Sequence, residues 1–122
     1  MSATVLVVDD DDDVRSLVAL HLTLTGFGVA ESDTVDGALT ALAAGPTPDL
    51  VLTDLNFGAD SGQRLVEHCL AIGQPVILMT ASVTARELPS PLRDGVAILH
   101  KPFSLAELSA AVSAALASGD AP

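Results

Sequence analysis

The chain has 122 residues, 49% of them hydrophobic, no Trp or Tyr, and a formal net charge of −11. That length supports one domain whose core, built from aliphatic side chains and alanine, needs neither disulfides nor a structural metal. Only five Lys and Arg stand against the acid excess, which excludes direct nucleic-acid binding, because phosphate neutralisation demands clustered cations.

Thr4 to Val8 is an apolar run of strand length that stops at Asp9-Asp10. It lacks a basic flank and is too short for a signal peptide or a membrane helix, so a cytoplasmic location without membrane contact is expected. Asp11, Asp12 and Asp13 open a helix to about Thr25 as cap and first-turn acids that complement the helix dipole. Its inner side is expected to carry Val14, Leu17, Val18, His21 and Leu24, with Gly26 as the stop. A calcium loop through Asp9, Asp11 and Asp13 is excluded, since Val14 stands where that loop needs Gly and Leu20 where it needs Glu. Gly28 to Glu31 is a short second strand. Thr34 to Ala44 is a helix with Val35, Ala38, Leu39 and Leu42 inward, closed by Gly45-Pro46.

Leu50 to Asp54 is an uninterrupted apolar run that ends abruptly in a carboxylate, as a strand buried on both faces does. Ser61-Gly62 begins a helix to Ile72 with Leu65, Val66, Cys69 and Ile72 inward and His68 on the outer face. Cys69, the only cysteine, reads as a small buried hydrophobe and fits a reducing cytosol. Val76 to Met79 is a fourth strand leading to Thr80. From Thr84 to Asp94, Pro89 and Pro91 remove donors and clash within a turn, so a short helical turn plus irregular chain is expected. Val96 to Leu99 is the fifth strand and leads through His100 to Lys101-Pro102. Ser104 and Glu107 form a capping box, with Phe103 stapled onto Leu108, at the head of a helix burying Leu108, Ala111, Val112, Ala115 and Leu116. Residues 1–122 are expected to form one domain in which 118–122 are a frayed tail or the start of a linker.

Five strands alternating with helices specify an α/β domain: a doubly wound, five-stranded parallel sheet with helices on both faces, of the flavodoxin-like kind. Right-handed crossovers with one reversal of direction predict strand order 2-1-3-4-5. Asp9, Asp10 and Asp54 then converge at the switch point, outside the carboxyl ends of the strands. Three carboxylates in one crevice repel one another and call for a hard divalent cation, Mg²⁺ or Mn²⁺, with the Asn56 backbone carbonyl as a further oxygen ligand. Asp54 is placed to act as a nucleophile that forms an aspartyl phosphate, and the Thr80 hydroxyl and Lys101 ammonium are placed to meet the phosphoryl oxygens.

The chain resembles, over essentially its whole length, the receiver domains of response regulators in bacterial two-component signalling. The residues that carry the resemblance are Asp9-Asp10 after strand one, Asp54 in Asp-Leu-Asn-Phe, Thr80-Ala81 after strand four, and Lys101-Pro102-Phe103 after strand five. It implies that Asp54 accepts a phosphoryl group from a sensor histidine kinase or phosphotransfer protein. It also implies that Asp9, Asp10, Asp54 and the Asn56 carbonyl hold Mg²⁺, that Thr80 and Lys101 act in catalysis and as the switch, and that the Lys101-Pro102 bond is cis. Such a domain is no enzyme beyond its own phosphorylation and dephosphorylation, acts on a downstream protein, and leaves room for a homodimer. Three positions depart from the pattern. Phe57 and Gly58 replace Met and Pro, and Ile98 replaces the aromatic residue that many members swing inward. Two other classes use similar residues: a haloacid-dehalogenase-like Mg²⁺ phosphatase, with Asp9-x-Asp11 as its first motif, and a pseudo-receiver that only binds partners.

Overall fold

Uncharged apolar runs bury both of their faces, and three of them form the centre of the sheet in this computed structural model, which describes residues 3–57, 60–81 and 96–119. The main sheet consists of β1 (Thr4–Val8), β2 (Gly28–Ser32), β3 (Leu50–Asp54), β6 (Val76–Thr80) and β7 (Ala97–His100). All pairings are parallel and the order is β2-β1-β3-β6-β7, which is 2-1-3-4-5 when these five strands alone are counted. Every residue of β3 and β6 is buried, whereas the edge strand β2 is half-buried to exposed along its length. Between β3 and the next helix the chain forms a small antiparallel pair not expected from the sequence, β4 (Asn56–Phe57) with β5 (Asp60–Ser61).

Among the described residues the helices are α1 (Asp12–Leu24), α2 (Val35–Ala44), α3 (Gln63–Ile72) and α4 (Leu105–Gly119). Alternate strand residues face opposite sides. Val5, Val7, Leu50, Leu52, Ile77 and Met79 meet α1 and α4 on one face, while Leu6, Val8, Val51 and Leu78 meet α2 and α3 on the other. Asp11 is the N-cap of α1, its side chain accepting from the Asp13 and Val14 N–H groups, so the acid run caps the helix as expected. Ser104 and Glu107 exchange reciprocal bonds of 3.0 and 3.2 Å, and Phe103 packs in the same core cluster as Leu108. The Lys101-Pro102 bond is cis, and so is Gly45-Pro46.

Two helix faces differ from expectation. In α1 the buried residues are Val18, Ala19 and Leu22, while Leu17 and Leu24 are 55% and 76% exposed. His21 is half-buried and hydrogen-bonded to Ser109 of α4, a packed histidine. In α3 Leu65, Val66 and Cys69 are buried, but Ile72 in the last turn is exposed. The cause in α1 is that apolar residues surround the helix, so phase is set by packing against β1, β2 and α4 rather than by pattern. The expected irregular stretch Thr84 to Asp94 and residues 120–122 lie outside the described residues, and α4 continues through Gly119. Among the described residues no helix is long and apolar enough to cross a membrane.

The corrected phase of α1 makes a differential prediction. Leu22→Ala should destabilise the fold by about 2–5 kcal/mol in urea unfolding, whereas Leu17→Ala should stay within about 0.5 kcal/mol of the parent. Equal losses would contradict the observed face.

Candidate functional site

The register levels the strand ends: Val8 lies beside Thr53, Asp54 beside Met79, and Thr80 beside His100. Asp9, Asp54, Thr80 and Lys101 therefore emerge along one edge of the sheet. Asp9 is fully buried and Asp54 9% exposed, while Asp10 is exposed at the rim. One carboxylate oxygen from each of the three lies within 4.8 Å of the others. Asn56 opens β4 two residues beyond Asp54.

Each buried group is held from a known direction. Asp9 Oδ1 accepts the Asp11 N–H at 3.0 Å, and Asp9 Oδ2 accepts from Lys101 Nζ at 3.0 Å. Asp54 Oδ1 accepts the Leu55 N–H at 2.8 Å, and its Oδ2 lies 3.6 Å from the same Lys101 ammonium. The Lys101 backbone N–H donates to the Thr80 carbonyl at 2.8 Å, so the main chain stays beside β6 and only the side chain crosses the strand ends. Thr80 Oγ1 is fully buried and has no hydrogen-bond partner among the described residues. A buried hydroxyl in that condition costs about 1–3 kcal/mol, and it lies at the end of the strand beside β3. Three carboxylates against one ammonium leave a local deficit of positive charge that a divalent cation matches, and an all-oxygen donor set suits Mg²⁺ or Mn²⁺. The residues present fit such an ion.

Ile98 is half-buried and packs on the α2 and α3 side, away from the crevice. Cys69 is buried on that side too, and burial pushes its thiol up to about 11, which keeps it protonated and unreactive at neutral pH. His68 is exposed on the outer face of α3. Beside Lys101 an apolar groove of about 430 Å³ runs between α1 and the start of α4, with Leu17, Phe103 and Leu105 in its lining.

Two contributors escape a reading of the sequence. Gly62 has ordinary helical φ and ψ, yet a Cβ there would collide with the Asp54 carbonyl. The demand is for space, and its one sequence signal is a glycine at the helix start after the strand-end aspartate. Arg15 donates to the Asp9 carbonyl at 2.8 Å from α1, a contact without a sequence signature.

The chain matches the model of the response regulator receiver domain over residues 5–113. The phosphate regulon transcriptional regulatory protein PhoB of Escherichia coli is 31% identical over 121 residues, covering 95% of this chain and 52% of PhoB. The transcriptional regulatory protein PrrA of Mycobacterium tuberculosis is 38% identical over 119 residues, covering 94% of this chain and 50% of PrrA. The chain thus spans about half the length of these curated relatives. Among solved structures, a response regulator receiver protein from Sinorhizobium medicae superposes with a TM-score of 0.87 at 28% identity, covering 98% of each chain. One from Burkholderia phymatum gives 0.83 at 30% identity, covering 95% of this chain and 96% of that one.

The uncompensated hydroxyl yields a prediction of unusual sign. Thr80→Val, which fills the same space without the polar atom, should leave stability unchanged or raise it by about 1 kcal/mol. A loss beyond about 1 kcal/mol in urea unfolding would mean that the hydroxyl is already satisfied. The Cys69 thiol should resist alkylation at pH 8 in the native protein and react fully in denaturant. Because its folded value lies above the ordinary thiol value of 9.0, the stability it lends is complete below pH 9.0 and is lost as pH rises through about 11. Denaturation midpoints at pH 8 and above 10 would measure that fall.

Proposed function

The chain belongs to the response regulator receiver domain family, and from that premise we propose that Asp54 is its phosphoacceptor, served by a Mg²⁺ site at Asp9, Asp10, Asp54 and the Asn56 carbonyl. A receiver domain is a phosphoacceptor signalling module of two-component systems rather than a conventional enzyme, and it implies a phosphodonor such as a sensor histidine kinase or phosphotransfer protein. The observation that supports the assignment of Asp54 is its placement: nearly buried, at the end of the central strand, with Lys101 Nζ 3.6 Å from Oδ2.

The chain's own residues divide the work as follows. The Asp54 carboxylate attacks the phosphorus of a phosphohistidine, the P–N bond breaks, and the departing imidazole keeps that electron pair and takes a proton. The Leu55 N–H on Oδ1 orients the carboxylate for attack. Lys101 is the mobile cation, able to follow negative charge from Asp9 toward the incoming phosphoryl oxygens. The Thr80 hydroxyl gains its missing partner when it donates to one of those oxygens, which makes it the reporter of phosphorylation. A bound Mg²⁺ supplies Lewis-acid neutralisation of phosphoryl charge and relieves carboxylate repulsion. Residues 1–122 act as the receiver unit, and the switched surface engages a downstream protein. Ile98, half-buried and β-branched, offers no large ring to exchange between two positions, so Thr80 and Lys101 carry the switch.

Intact mass after incubation with Mg²⁺ and a small acyl phosphate should show one added phosphoryl group, lost in Asp54→Asn and much reduced in Lys101→Ala. A label mapped to another residue would reject the assignment. Continuous turnover of a phosphate ester in place of stoichiometric uptake would instead favour a phosphatase. Mg²⁺ should also raise the melting temperature, by the equivalent of about 2.7 kcal/mol at one hundred times its Kd. Asp10→Ala should abolish that rise, and its persistence would displace the metal site.

A further inference from the structure

Arg15 lies in the first turn of α1, outside the acid crevice, yet its side chain is only 15% exposed. Its guanidinium donates to three elements at once: Nη1 to the Asp9 carbonyl at 2.8 Å, Nη2 to Asp12 Oδ1 at 2.6 Å, and Nε to Glu31 Oε1 at 3.2 Å. The end of β1, the first turn of α1 and the end of β2 are joined through one planar group. The Asp9 carbonyl belongs to the peptide that links Asp9 to Asp10. With the Asp9 N–H, part of the preceding peptide, bonded to the Ser32 carbonyl at 3.2 Å, the two peptides flanking the Asp9 Cα are both held.

We propose that Arg15, anchored by Glu31, is a positioning residue for the acid pair: by fixing the Asp9–Asp10 peptide plane it sets the direction of both carboxylates and hence the affinity of the crevice for a divalent cation. Asp10 is exposed, so its direction depends on the backbone more than on packing. Asp9 is held at its carboxylate by Lys101 and Asp11, and Arg15 adds a bond at its backbone carbonyl. Fold stability is a poor explanation for the arrangement, because Asp12 is 79% and Glu31 44% exposed and ion pairs to such groups contribute little. The geometry also requires arginine. A guanidinium offers five donors in a rigid fork, whereas an ammonium is a point charge that cannot serve these three directions together.

The inference rests on the metal reading proposed above, and Arg15→Lys tests it while keeping the charge. Mn²⁺ binding to the whole chain, followed by electron paramagnetic resonance, should weaken about tenfold, the lower range for loss of an outer-sphere orienting group. Glu31→Ala should weaken it less, in the same direction, and guards against misfolding of the first variant. In metal-free protein, amide exchange should quicken at Asp9 and Asp11 and stay unchanged in β6. Parental Mn²⁺ affinity in both variants, or exchange quickened evenly over all strands, would overturn the proposal. Asp10→Ala separates the two failures. If it binds Mn²⁺ like the parent, the metal reading falls and with it the affinity role of Arg15, whereas lost binding there together with unchanged binding in Arg15→Lys removes only the role of Arg15.

Discussion

Asp9 and Lys101, separated by 92 residues, meet at 3.0 Å, and the rest of the crevice depends on that pairing. Asp9 is fully buried, and an isolated carboxylate in such a position costs several kcal/mol. The cation that offsets it comes from the far side of the sheet, past the ends of β6 and β3. This works only because the register brings four strands to a common finishing line and because the Lys101 backbone remains bonded to Thr80. The ammonium must then pass close to Asp54, whose Oδ2 it meets at 3.6 Å. A structural need, neutralising a buried acid, and a chemical one, placing a cation beside a nucleophile, are met by one side chain.

The resting crevice is unequally satisfied, and the inequality has direction. Asp9 has partners at both carboxylate oxygens, whereas the Thr80 hydroxyl, two strands away in the sheet, has none among the described residues. An incoming group with several oxygens would supply the second with its missing partner and draw Lys101 from the first. Preorganised donors of this sort stabilise charge with little reorganisation at the moment it arrives.

The sheet was legible because parallel strands buried on both faces must be continuous apolar runs, and these end in residues whose side chains have obvious chemistry. Asp9, Asp10, Asp54, Thr80 and Lys101 could therefore be placed on strand ends without coordinates. The faces of α1 could not, because Leu17, Leu20 and Leu24 look as eligible for burial as Leu22. Which of them is buried depends on how α1 seats on β1 and β2 and beside α4, whose Ser109 meets His21 from nearly ninety residues away. Gly62 was opaque for a related reason, since its role is to leave room for a carbonyl of another segment. Arg15 acts through a backbone oxygen, which every residue possesses and no motif can mark. The β4–β5 pair is only two residues a side, too short for periodicity to register.

The leucines left outside on α1 also bear on how the molecule behaves among its own kind. Leu17, Leu20 and Leu24, with Leu105 across the groove, give one side of the surface an oily character. Mutual repulsion from a net charge of −11 keeps such surfaces apart in dilute buffer at neutral pH. Strong salt shortens the reach of that repulsion and acid removes its source. Colloidal stability in this protein is thus set by the solvent's ionic strength and acidity, independently of how firmly each copy is folded.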